Sequence, residues 1–217
     1  MKNRYSLLIL LTTFLLAIKV APINAQETST DNNLKFCADP HWMPYEGIKE
    51  GKHVGIASDY LSIIQRHTNY TFELVVTNSW DESIALLKSG ECHLTMMLNK
   101  TDERDKYLKF SNVYFRSPNI LISQSEQPFL QDISHIGDRK VAMVKNYRIV
   151  EYVKKYHPNI KSVLVANEAE GVRAVAEGTA DVFVGSMLSL NARVQQYGYG
   201  NIKIAGWGGP EDELVLA

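Results

Sequence analysis

The stretch SWDESIALLKSGECHLTMMLNKTDER, residues 79–104, reads as a helix, a glycine stop, a buried strand and a polar loop carrying one arginine. Ser79 can cap a helix, and Glu82 three residues on can close a capping box. Trp80, Ile84 and Leu87 follow at helical spacing, and Gly90 supplies a left-handed stop. The apolar run Leu94 to Leu98 has the length of a strand buried on both faces. In an open α/β sheet, ligands bind beyond the carboxyl ends of the strands, which is where Asn99 to Arg104 fall. Arg104 is the candidate anion-holding residue there, although spacing alone favours a solvated arginine paired with Glu103 or Asp105.

Working outward, the same pattern recurs. Asn167 can cap, Glu170 stands three residues on, Val172 and Val175 face inward, Gly178 ends the helix and Val182-Phe183-Val184 forms the strand. Ser79 to Gly90 and Asn167 to Gly178 share a separation of eleven residues, and the two copies lie 88 residues apart. Two strand–helix–strand units at that distance suggest two similar α/β lobes. Around them, strands are expected at 34–38, 70–76, 119–123, 140–144 and 162–165, and helices from Ser58 or Asp59 and over 146–155. Asp59 is expected as a helix cap. His41 to Tyr45 reads as a proline-bounded loop with two large aromatics, and 125–137 as a crossing segment.

The chain has 217 residues, 45% hydrophobic and 22% charged, with a formal net charge of −1. That is a globular balance, and neither the charge nor any basic–aromatic stretch points to nucleic acid. Lys2 and Arg4 precede an apolar run from Leu7 to Ile18 that ends in Ile23-Asn24-Ala25. This layout predicts a secretory signal over 1–25, with an uncleaved anchor as the alternative. Residues 26–33 read as a polar, disordered lead-in. In such a compartment Cys37 and Cys92 could bridge, but both are placed on parallel strands at different heights, so two buried thiols are expected instead.

Trp42-Met43-Pro44-Tyr45, Gly55 with Asp59, Thr101-Asp102-Glu103-Arg104 leading to Phe110-Ser111 and Tyr114, Lys140 to Lys145, and Gly178 to Val184 form one ordered set. The set resembles the bacterial extracellular solute-binding proteins of family 3, over roughly Leu34 to Ala217. The resemblance implies an α/β, two-lobed periplasmic-binding-protein type II fold, with two Rossmann-like lobes and a hinge. Lobe 1 is expected over 34–123, lobe 2 over 124–210, and 211–217 starts the return to lobe 1. The helices that complete lobe 1 in the family do not follow, so a fragment of a longer protein is expected.

By the same resemblance, Arg104 holds a ligand carboxylate through its planar fork of donors. Trp42 or Tyr45 stacks on the solute, Asn99 and Lys100 line the approach, and Asn146, Tyr147 and Ser186 face it from lobe 2. Two positions depart from the family. Asn146-Tyr147 stands where amino-acid-binding members carry Gly and then Ser or Thr, and Ser186 stands where they carry an acid for the ligand ammonium. A hydroxyl does not balance a cation as a carboxylate does, so a carboxylate or other small polar solute fits at least as well as an α-amino acid.

The implied partners are that solute and a membrane permease, or an attached sensor kinase or cyclase, with the Arg104 loop and the turn at 144–147 closer to the sensory branch. No nucleophile elbow, phosphate-binding glycine loop or metal-spaced histidine pair is present, so neither a cofactor nor catalysis is expected. A dehydratase-like enzyme of the same fold is the second reading.

Overall fold

The computed structural model describes residues 32–217. The expected signal segment and most of the lead-in lie outside them, and Asn33, assigned to the lead-in, already opens a strand. Strand 33–37 is central in a three-stranded parallel sheet, flanked by 71–74 and 94–95. Ahead of the first helix, α1 (Ile56–His67), residues 41–42, 46–49 and 52–54 form a small antiparallel meander where the sequence suggested only a loop and a turn.

Helix α1 starts earlier than expected, and Gly55 rather than Asp59 stands at its cap. The amides of Ile56 and Ala57 donate to the carbonyls of Pro44 and Tyr45, so the aromatic loop itself satisfies the helix start. This close approach requires a glycine. Gly55 has φ of +100°, and a Cβ there would lie 2.8 Å from both the Pro44 and Tyr45 oxygens.

The repeated caps are realised in both copies. In α2 (Trp80–Ser89), Ser79 Oγ accepts from the Glu82 amide at 3.2 Å, and Glu82 Oε2 accepts from the Asn78 amide at 2.8 Å. Of the two helices after that, α3 (Arg148–Tyr156) and α4 (Glu168–Ala176), the second repeats the device. Asn167 Oδ1 accepts from the Glu170 amide, and Glu170 Oε2 from the Ala166 amide, each at 3.0 Å. In both, the glutamate reaches one residue beyond the cap. A fifth helix, α5 (Met187–Tyr197), was not anticipated.

The strand expected over Leu94–Leu98 is divided. Residues 94–95 belong to the first sheet, while 98–99 join 212–215 and 115–117 in another. Between them Met97 takes φ of +49°, and its amide donates to the Tyr114 hydroxyl at 2.8 Å. All five side chains from Leu94 to Leu98 are buried, so the break is invisible to hydrophobicity.

Strand 119–124, expected to finish the first lobe, lies instead inside a six-stranded sheet ordered 131–132, 202–207, 119–124, 182–186, 140–144, 161–165. It runs antiparallel to both neighbours, and the remaining pairs are parallel. Alternate residues feed two cores. Leu121, Val141, Met143, Val182 and Val184 pack with Ile149 and Val153 of α3, while Ile120, Ile122, Ala142, Val144 and Phe183 pack with Val172 and Val175 of α4 and Leu190 of α5. Burial on both faces explains why these strands read as unbroken apolar runs.

The crossing therefore occurs at Ser117-Pro118-Asn119, not over 125–137, which contains strand 131–132 and a 3₁₀ turn at 133–135. The chain returns through Pro210-Glu211, and Asp212 pairs with Ser117. The two passages run side by side and are hydrogen-bonded to each other.

Cys37 and Cys92 form a disulfide, with Cα atoms 5.7 Å apart, which corrects the expectation of free thiols. Cys92 is not on the strand at all. It sits in the turn after α2, where its amide donates to Leu86 O, so strand register does not keep it from Cys37.

Candidate ligand-binding cleft

The carboxyl ends of the first-half strands, the loop before Arg104 and the start of α3 converge on one small cavity. Its lining includes Asp39, Trp42, Glu46, Trp80, Asn99 and Arg104 from one side, and Tyr147, Arg148, Gly185 and Ser186 from the other. The space in which a water centre can sit is about 30 Å³, room for a water or two.

The two sides are in direct contact around it. Trp42 Nε1 donates to Glu168 Oε1 at 3.1 Å, the Tyr147 hydroxyl donates to Asp39 Oδ2 at 2.6 Å, and Arg104 Nη2 donates to the Asn146 carbonyl at 2.7 Å. At the rim, Asn146 Nδ2 donates to Asp81 Oδ1, Lys145 pairs with Asp81, and Thr101 Oγ1 donates to Glu151 Oε1. Arg148 pairs with Asp212 at 3.1 Å beside the returning strand.

Arg104 is 4% exposed. Nη1 donates to the Asn99 carbonyl at 2.6 Å, and the guanidinium lies 5.9 Å from the centre of the Trp80 ring. Its side-chain hydrogen bonds go to two carbonyl oxygens, and among the described residues no carboxylate forms an ion pair with it. Burial lowers its pKa to about 10, so it stays charged at neutral pH. A guanidinium has five N–H donors, and the Glu151 carboxylate acts on this one without forming an ion pair with it, so a buried charge is left without a direct partner.

The other expected residues divide. Trp42 and Ser186 line the cavity, as do Asn99 and Tyr147. Asn99 is held from both ends, its Nδ2 donating to Asp212 and its Oδ1 accepting from the Glu213 amide. Asn146 presents its carbonyl to Arg104 and Trp80, with φ of +62°, while its side chain turns to Asp81 at the exposed rim. Tyr45 is fully buried but does not line the cavity. Its ring lies 4.4 Å from that of Trp42, and its hydroxyl is shared with Ser117 and Ser186.

Lys100 is not brought to the site. Its side chain is exposed, pairs with Asp105 at 3.1 Å and lies over Phe110. The strand that carries Asn99 inward turns the next side chain outward, as strand alternation requires.

Sequence reasoning missed the buried acids. Asp39, Glu46 and Glu168 are each at most 4% exposed. Burial pushes the Asp39 and Glu46 carboxyls upward, against the Tyr147 hydroxyl at Asp39 and against His53 and then the Asp39 amide at Glu46. Burial also pushes Glu168 up to about 8, with the bonds from Ser189 and Trp42 pulling back, and its Oε2 has no partner. Asp39 stands just past the end of a strand and Glu168 in the first turn of α4, positions where an acid is ordinary, so neither carries a signal in the sequence.

The raised Glu168 value has a definite sign. The folded state binds the proton more tightly than the unfolded chain, whose carboxyl titrates near about 4.3. Its contribution to stability is therefore complete below that pH and is lost as pH rises through about 8. Glu168→Gln is expected to flatten the fall in stability over this window, leaving the variant about 2–4 kcal/mol ahead of wild type at pH 8 relative to pH 4. Urea titrations at the two pH values measure this, and equal falls in both proteins would contradict the assignment.

The profile of the bacterial extracellular solute-binding proteins, family 3, matches residues 34–166. The virulence sensor protein BvgS of Bordetella pertussis is 30% identical over 151 residues, 70% of this chain and 12% of that protein, so the chain spans only a small part of that relative's length. A probable histidine-binding protein of Campylobacter jejuni is 26% identical over 61% of this chain and 56% of its own. Among solved structures, the periplasmic VFT2 domain of Bordetella pertussis BvgS superposes with a TM-score of 0.76 at 26% identity, covering 86% of this chain and 80% of that one. Such relatives are binding and sensor domains with an extracytoplasmic address, a setting in which the disulfide is at home. With the profile, the cap repeat and the two-lobed architecture in agreement, the chain belongs to the bacterial extracellular solute-binding proteins, family 3.

Proposed function

We propose that this chain is the ligand-binding domain of an extracytoplasmic sensor, and that it clamps a small carboxylate-bearing solute between its lobes. One lobe comprises 33–117 with 212–217, the other 119–210, and the paired passages at Pro118 and Pro210 form the hinge. The observation that carries the reading is Arg104, a buried guanidinium with unused donors and no carboxylate partner among the described residues. A solute carboxylate supplies the direct ion pair that Arg104 lacks among the described residues, while Trp42 offers a face for its apolar part, and Asn99, Tyr147 and Ser186 offer polar contacts.

A cavity of about 30 Å³ does not admit such a solute, so entry requires the lobes to part. Contacts such as Tyr147–Asp39 and Arg104–Asn146 then exchange with solute contacts. The solute shifts an open–closed equilibrium by its differential affinity for the two states, and moving closure from 1:99 to 99:1 takes about 5.5 kcal/mol. The similarity to BvgS supports signalling as the use made of closure. The similarity to a probable histidine-binding protein supports a second reading, delivery of the solute to a membrane permease.

A thermal-shift screen of amino acids, dicarboxylates and aromatic acids tests the proposal. A true solute at a hundred times its Kd is expected to stabilise the fold by about 2.7 kcal/mol, and its amide is expected to fail. Equal stabilisation by acid and amide would sink the carboxylate reading.

A further inference from the structure

A second cavity, larger than the cleft and sharing no lining residue with it, opens between α1, strand 52–54 and the strands 33–37 and 71–74. Its volume is about 490 Å³, within the range of small-molecule sites. The apolar part of the wall comes from Phe36 and Leu61, both buried, and from Phe72 and Leu74, both half-buried. Lys52 and Arg66 are the charged side chains of the lining; both are exposed, and neither forms an ion pair within the described residues. No carboxylate lines the space.

One further side chain closes the wall. His53 has a side chain 6% exposed, and its Nε2 faces Glu46 Oε2 at 3.4 Å, an ion-pair distance. The ring meets Phe36 edge to face at 5.1 Å. Both ring nitrogens and Glu46 Oε2 are sealed from water, so the apolar side chains and the two cations are what a ligand in the groove meets. Glu46 also lines the cleft, so one carboxylate separates the two cavities at this point.

We propose that this groove is a second binding site, and that it takes an amphipathic organic anion. An alkyl or aryl body lies on Phe36, Leu61, Phe72 and Leu74, and Lys52 and Arg66 hold the anionic head. The apolar wall supplies affinity in proportion to the area it covers. The two free cations select a negative head over a neutral one.

Octanoate is the probe, titrated calorimetrically into the full chain, with 1-octanol as the neutral comparison. Saturable binding of octanoate is expected, with octanol about tenfold weaker or more. Lys52→Glu/Arg66→Glu is expected to weaken octanoate at least about tenfold. Because both side chains are exposed, circular dichroism and the melting temperature confirm that this variant is folded. Arg104→Ala, which disables the proposed cleft, is expected to leave octanoate affinity within about twofold of wild type. Absence of saturable binding, unchanged affinity in the charge-reversed variant, or loss in Arg104→Ala would each overturn the proposal. Loss in Arg104→Ala would move octanoate to the cleft, whereas the first two outcomes leave the cleft reading, tested with other solutes, where it stands.

Discussion

Replacing Cys37 and Cys92 together by alanine is expected to lower the unfolding free energy by about 4 kcal/mol. The bridge closes a loop with a sequence separation of 55 residues. Loop-closure entropy for that length gives about 4 kcal/mol near 25 °C. At roughly 2–4 °C per kcal/mol for a chain of this size, the melting temperature falls by about 8–16 °C. The loop contains the meander, α1, strand 71–74 and α2, so the unfolded ensemble gains freedom over much of the first lobe. Cys37 and Cys92 are both buried against Trp80, Ile84 and Leu87, so the alanine pair also leaves a small void. Urea titration of the variant, and of wild type under dithiothreitol, measures the loss. A change below about 1 kcal/mol in both would show that the bridge contributes little.

The second large effect is on binding. Arg104→Ala is expected to weaken the solute found in the screen by about 2–5 kcal/mol, which is roughly thirty-fold to several-thousand-fold. The carboxylate loses a charge-assisted, two-pronged partner. Arg104→Lys is expected to recover little, because an ammonium cannot hold the Asn99 carbonyl while also presenting a planar fork to the solute. Calorimetry reads the affinity, and circular dichroism confirms the fold. Affinity within about threefold of wild type in the alanine variant would remove Arg104 from the anion-holding role.

Lys140–Val144 shows how far local pattern reaches. The observed strand has the bounds its sequence implies, because a run buried on both faces is bounded by polar residues on each side. The caps at Ser79 and Asn167 were equally readable, since a side chain bonding an amide three residues away is a local event. The same reasoning failed at Leu94–Leu98, where the chain leaves one sheet for another without any change in hydrophobicity. It failed again at 119–124, whose apolar run identifies a strand but not the sheet it joins. Lys100 was misplaced for a related reason: motif adjacency to Arg104 does not say which face of the chain a side chain takes. The expectation of free thiols needs both cysteines on strands, and Cys92 lies in a turn.

By itself the sequence determined the family, the α/β alternation, the two copies of the capped unit and the candidacy of Arg104, because each depends on residues close together in the chain or on an ordered motif set. Tertiary structure alone decided that Asp39, Glu46 and Glu168 are buried around the cleft, that Cys37 meets Cys92, and that Phe36, Leu61, Lys52 and Arg66 line a second groove. Those facts depend on desolvation and on contacts between segments 7 to 126 residues apart. Neither burial nor the pKa shift that follows from it is written in any short stretch of chain.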